Sequence, residues 1–268
     1  RMGAGRLGIG GVVIALVASY LLGVDPRLVM GVLGGMEGGA PTAVQAPAGP
    51  ATKPTDAAGR FMSVVLADTE DTWNALFRQA GSDYAEPTLV LYTDVSPTAC
   101  GMGESAAGPF YCPADRKIYI DLTFFRQLSE RFSAPGDFAA AYVLAHEVGH
   151  HVQNQLGVMR KVDELRQRMT PQQANALSVR VELQADCFAG IWAHHAQRSR
   201  QILEQGDLEE ALRAAAAVGD DMLQRATRGR VVPESFTHGT AEQRARWFRT
   251  GFDSGRIAAC DTFSARTL

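Results

Sequence analysis

The sequence predicts an α+β domain, mainly helical, with a small antiparallel sheet. Short β-rich runs cluster between residues 88 and 121 and are bounded by turn residues. Apolar residues at helical spacing, with helix-start signals, lie on both sides of that cluster. No internal repeat is visible, and strands and helices are segregated along the chain rather than alternating, which favours α+β over a parallel α/β sheet. The 268 residues, 46% hydrophobic and 21% charged, suffice for one domain with a real core plus additional segments. A net charge of −3 supplies no basic field, and the mostly arginine cations form no dense run, so no nucleic-acid partner is expected.

The elements follow in order. The chain opens on Arg1 rather than Met, so its native start is expected upstream. Residues 1–6 read as a cytoplasmic stub. From Leu7 to Val24 the chain carries no charge, and eighteen such residues are near the minimum for a membrane span. Arg1 and Arg6 before it, with Asp25 after it, favour an inside N-terminus and an outside remainder. A cleavable signal peptide is the competing reading; no small-x-small site follows the apolar run directly, so an uncleaved anchor is expected. Residues 25–59 then read as a flexible Gly/Ala/Pro-rich linker, and residues 60–268 as the folded domain.

Within the domain, Phe61, Val64, Val65, Trp73, Leu76 and Phe77 predict an amphipathic helix over 60–80. Strands are expected at Thr88–Thr93, Phe110–Cys112 and Lys117–Asp121, the last two joined by a turn. A short helix is expected over 122–132, and Pro135-Gly136 breaks it. Asp137 is placed to cap a helix over 138–156 that is apolar nearly all round and therefore internal. Thr170…Gln173, with Pro171, opens a helix to about Gln205. Another is expected from Asp207 to about Arg225, and Thr240…Gln243 opens the last, through about Gly255.

The internal helix carries His146-Glu147-Val-Gly-His150. Residues four apart lie about 40° apart around a helix, so both histidines can hold one ion, with Glu147 beside it as general base. Two histidines and a glutamate on a buried helix need a reason to be there, and a metal supplies one. A catalytic zinc site uses three protein ligands and keeps one position open, which calls for a third ligand downstream. Glu182 fits that role. Asp186, four residues on, can hydrogen-bond the second ring nitrogen of His146 and fix its tautomer. The expected chemistry is hydrolysis by water activated on one catalytic Zn2+, with Glu147 moving the proton and His238 and Arg244 as candidate donors to the developing oxyanion. His151 projects about 100° from His150 and should not share the ion. His194 and His195 do not fall on the face of Glu182 and read as satisfied, partly exposed residues. The four cysteines are expected to pair as Cys100–Cys112, which are close in sequence, and Cys187–Cys260, which remain.

The stretch Ala141-Tyr-Val-Leu-Ala-His-Glu-Val-Gly-His-His-Val-Gln153 resembles the signature of the bacterial family of neutral zinc metallopeptidases. The resemblance extends to Gly108–Pro113, Lys117–Asp121, Glu182–Cys187, Thr237–Arg244 and the N-terminal span ending in Gly-Val-Asp-Pro26. Glu182…Ala185-Asp186 is also similar to the E-x-x-A-D of membrane-resident gluzincin peptidases. Thr237-His238…Glu242…Arg244 is similar to their T-H-P…E-x-R, with Gly239 where they have Pro. The resemblance implies a zincin-like domain with Glu182 as third ligand and with His238 and Arg244 facing the cleft. It implies a cleft strand that holds extended substrate, for which Lys117–Asp121 is the candidate. The expected partner is a peptide or protein substrate of the membrane or cell envelope, met outside the cytoplasm, where the charges flanking residues 7–24 place the domain. The competing function is a catalytically silent relative that serves as a binding or regulatory module; Glu147 argues against it.

Overall fold

The computed structural model describes residues 54–93, 95–104, 108–125, 130 and 136–268. All lie in one compact unit, Ala48–Leu268. The apolar span 7–24 and most of the linker fall outside the described residues. Among the described residues no helix is long and apolar enough to cross a membrane.

Helix α1 spans Ala57–Gln79, so the folded part begins before the expected boundary at residue 60. Asp56 sets the start: its Oδ1 accepts the Gly59 N–H at 2.7 Å. Met62, Val65, Trp73 and Phe77 form its buried face. Strands β1 (Thr88–Tyr92), β4 (Phe110–Cys112) and β5 (Lys117–Asp121) form a three-stranded sheet in the order β1-β5-β4. The expected antiparallel sheet is in fact mixed. β4 and β5 pair antiparallel across their turn, but β1 pairs parallel with β5, Thr88 opposite Lys117 through Tyr92 opposite Asp121. Parallel partners need a crossover, and this one contains a separate antiparallel hairpin, β2 (Val95–Thr98) with β3 (Gly101–Glu104). The Cys100–Cys112 disulfide ties the tip of that hairpin to β4.

Helix α2 (Asp137–Gln155) is the centre of the domain. Fifteen of its residues are buried, because α1, β4 and three later helices pack around it. Asp137 does not cap it: Gly136 is the N-cap, without a side-chain bond, and Asp137 sits in the first turn, where a carboxylate favours the helix dipole. Gly157, at φ 75°, turns the chain straight into a short helix α3 (Val158–Arg166), which the periodicity did not single out. The apolar side of α3 forms a small satellite core, Val162 with Leu177 and Val181. Residues 123–125 are helical; most of the helix expected over 122–132 lies outside the described residues.

Helix α4 (Pro171–Arg200) carries the expected capping box but ends at Arg200, where Gln201 takes a left-handed conformation. The helix expected from Asp207 to Arg225 is two: α5 (Asp207–Ala217) and α6 (Asp220–Arg228). The break at Gly219 lies against the start of α7 (Ala241–Ser254), where an added Cβ would sit 2.4 Å from the Ala241 nitrogen. Helices α4 and α7 pack backbone to backbone: a Cβ on Gly190 would lie 2.0 Å from the Phe248 carbonyl oxygen. The Cys187–Cys260 disulfide then fastens the C-terminal segment to α4.

Candidate metal centre

Helix α2 presents His146 and His150 one turn apart, and α4 presents Glu182 to both. His146 Nε2 lies 3.2 Å from Glu182 Oε2, and His150 Nε2 lies 3.5 Å from Glu182 Oε1. One ligand atom from each residue falls within 4.8 Å of the other two. Gly149 makes this approach possible: any Cβ there would lie 2.8 Å from the Ala185 carbonyl oxygen. Without a side chain at 149, the two helices close to the distance at which one ion can bridge them.

Each histidine has its other nitrogen occupied. His146 Nδ1 donates to Asp186 Oδ1 at 2.7 Å, and His150 Nδ1 donates to Gln153 Oε1 at 2.9 Å. Both Nε2 atoms are therefore the ones turned toward Glu182. The backing differs in character. Asp186 is fully buried and also accepts from Tyr142 Oη at 2.5 Å and from Arg244 Nε and Nη2, each at 2.9 Å. Gln153 is held by a neutral relay: its Nε2 donates to the Val181 carbonyl and to Gln184 Oε1, and Gln184 Nε2 donates to the carbonyl of disulfide-bonded Cys260. Two imidazole nitrogens and one carboxylate oxygen, buried and pre-oriented, fit the donor set of a catalytic zinc.

The electrostatics favour a cation between these groups. Burial opposes a charge on His146, but the Asp186 and Glu182 carboxylates outweigh it and push its pKa up to about 10. Burial likewise opposes a charge on His150, and Glu182 again raises its pKa. Burial works against ionised Glu182, yet His150 and His146 hold it well below the usual range. Asp186 is buried too, and Arg244 and His146 hold it at about 2. A field that favours positive charge on both imidazoles also suits a divalent ion.

A cavity of about 320 Å³ opens over the cluster, lined by Glu147, His150, Glu182 and His238, by Pro109, Phe110 and Tyr111 at β4, and by side chains of α3 and α4. His238 is half exposed and sits on Asp220, the first residue of α6. Asp220 Oδ2 accepts the backbone N–H groups of Thr237, His238 and Gly239 at 2.7, 2.6 and 3.0 Å, and Oδ1 lies 3.3 Å from His238 Nδ1. Gly239 has φ 91°, and its N–H is used. Proline, with φ fixed near −65° and no N–H, cannot take this place. The hydrogen bond to Asp220 raises the pKa of His238, burial opposing it.

Residues 1–263 match the family model described as "Putative neutral zinc metallopeptidase". The chain belongs to this family. It is 51% identical over 263 residues to the uncharacterized protein YpfJ of Escherichia coli (strain K12), covering 98% of this chain and 88% of that one. It is 42% identical over 221 residues to the uncharacterized protein Rv2575 of Mycobacterium tuberculosis (strain ATCC 25618 / H37Rv), covering 79% and 74%. No solved structure matches it.

Two expectations need correction. Arg244 does not face the cleft. It is 4% exposed, its guanidinium is spent on Asp186, Tyr142 Oη and the Val218 carbonyl, and it is not among the cavity-lining residues. Buried beside a buried carboxylate, it neutralises that charge rather than reaching substrate. Lys117–Asp121 is not the cleft strand either: β5 is central in the sheet and paired on both sides, while β4, an edge strand among the described residues, borders the cavity. His151 turns away from the cluster, with Nδ1 3.0 Å from Tyr111 Oη and Nε2 2.5 Å from the Ala85 carbonyl. His194 and His195 bond the carbonyls of Phe252 and Gly255. Sequence reasoning assigned no role to Tyr142, Gln153, Gly149 or Asp220. Tyr142 and Gln153 carried a signal: they stand four before His146 and three after His150, on the same helix face. Asp220 carried none, because its partners lie 17 to 19 residues away in a loop.

Proposed function

We propose that this zinc metallopeptidase is a membrane-anchored endopeptidase, with Glu147 as general base. The observation that carries the reading is Glu147 itself. It is 6% exposed, carried by the ligand helix, and lines the same cavity as His150 and Glu182. A module that only bound a partner would have no use for a carboxylate buried at that point.

A zinc ion held by His146, His150 and Glu182 supplies Lewis acidity, polarising a carbonyl and making water nucleophilic near neutral pH. The protein supplies the rest. Glu147 accepts the proton of the attacking water and delivers it to the leaving amine. His238, whose pKa the hydrogen bond to Asp220 raises, donates to the substrate oxygen as negative charge develops there. Asp186 and Gln153 hold the two imidazoles in the tautomer that leaves both Nε2 atoms available, and Arg244 holds Asp186. The edge strand β4 offers main-chain groups to an extended peptide. The apolar span 7–24 and the two disulfides support an anchored domain in an oxidising compartment, with envelope or membrane proteins as substrates.

The test compares wild type with Glu147→Gln. Both should carry near-stoichiometric zinc. Peptide cleavage should vanish with a chelator and fall by about 10²–10⁴ in the variant. If zinc is bound and broad peptide libraries stay uncut by wild type, the reading fails and the chain is a binding module.

A further inference from the structure

One side of the cleft is made by α3 and α4. Met159, Val162 and Arg166 of α3 lie on one helical face, and Val181 of α4 joins them at the cavity. The surface is apolar until Arg166. The other charged lining residues are Glu147 and Glu182, which serve as base and ligand, and the two imidazoles of His150 and His238. Among the described residues, Arg166 is thus the one lining side chain whose positive charge does not depend on pH.

Its guanidinium is positioned but not consumed. Nη2 donates to Ser178 Oγ on α4 at 2.7 Å. The neighbouring carboxylate, Asp163, is 4.0 Å from Nη1, too far for a hydrogen bond. Among the described residues Nε donates to no protein oxygen, and the side chain is 41% exposed. Arginine presents five donors in a planar fork that matches a carboxylate. An arginine tethered at one corner, at the end of an apolar surface beside a hydrolytic centre, is built to receive an anion on an apolar stem.

We propose that Arg166 recognises a carboxylate on the substrate, so that this peptidase selects peptides bearing an acidic side chain or a free C-terminus beside the cleavage site. The inference rests on the peptidase reading for cleavage, but recognition itself is measurable without turnover. A cation that merely complements the C-terminal end of α3 would show no such selectivity.

Quenched-fluorescence peptides, with Glu, Gln or Lys placed in turn at each position around one scissile bond and with the C-terminus free or amidated, test it. Wild type should prefer the carboxylate form by about tenfold in kcat/KM, carried in KM, as one charge-assisted hydrogen-bonded pair provides. Arg166→Ala should lose the preference, and Arg166→Glu should favour Lys. Ser178→Ala, which keeps the charge but frees the fork, should keep the sign of the preference with a smaller ratio. A preference surviving amidation assigns the carboxylate to a side chain; one abolished by amidation assigns it to the chain end. The same peptides, binding to zinc-loaded Glu147→Gln protein by fluorescence anisotropy, separate the two readings. Arg166-dependent acid selectivity in binding, without any cleavage by wild type, keeps this inference and sinks the peptidase. Cleavage or binding indifferent to charge, or acid selectivity that persists in Arg166→Ala, overturns it.

Discussion

Two aspartates organise the two sides of the cleft, and they do it differently. Asp186 of α4 lies behind His146, fully buried, and gathers side chains from two other helices: Tyr142 and His146 of α2 and Arg244 of α7. Asp220 lies under His238, 8% exposed, and gathers three consecutive backbone N–H groups and one imidazole. The first is a balance of buried charges, so its failure exposes a desolvated ion. The second is a backbone clamp, so its failure releases the shape of a loop. One aspartate should therefore govern stability and metal affinity, the other the placement of a side chain at the cleft.

Removing the counter-charge should break the first arrangement most severely. Arg244→Met leaves Asp186 buried without its cation, which costs about 3–5 kcal/mol. For a domain of this size each kcal/mol moves Tm by about 2–4 °C, so calorimetry should register a fall of roughly 6–20 °C. A fall of less than about 2 °C would show that Tyr142 and His146 satisfy Asp186 unaided.

Replacing each aspartate by its amide sharpens the contrast. Asp186→Asn should weaken zinc binding by about 10–100-fold in competition with a chromophoric chelator. Asp220→Asn should leave the affinity within about twofold, since its contacts stop at the loop. Equal losses in the two variants would mean that the loop and the ligand set form one unit.

The smallest effect is in pH dependence. Asp220 raises the pKa of His238, so the alkaline limb of kcat/KM should lie above 6.5 in wild type and move down toward 6.5 in Asp220→Asn. For stability the signs are opposite for the two partners. His238, with a raised folded pKa, contributes fully below 6.5, and the contribution disappears as pH rises through its folded value. Asp220 is held low by His238 and the loop N–H groups against the effect of burial. Its contribution is present above 3.8 and is lost as pH falls through its folded value. The stability gap between wild type and Asp220→Asn should therefore be widest between 3.8 and 6.5. Denaturant melts showing a constant gap from acid to alkaline pH would rule out this coupling.

The candidate metal-ligand set was legible in the sequence because it depends on helical phase. His146 with His150, and Glu182 with Asp186, are four-residue pairs whose geometry follows once each segment is a helix, and the capping boxes at Thr170 and Thr240 set two helix starts within a single turn. The tertiary structure decided what those pairs face. It placed β1 parallel to β5, made β4 rather than β5 the cleft edge, and split the expected Asp207–Arg225 helix so that Asp220 could hold the His238 loop. It also turned Arg244 inward onto Asp186 and left Arg166 beside the cavity. Period and capping are properties of a few consecutive residues, and a sequence displays them directly. The partner of a charge is settled by which groups lose water together when the helices pack, and residues 186 and 244, or 220 and 238, come together only in the folded chain.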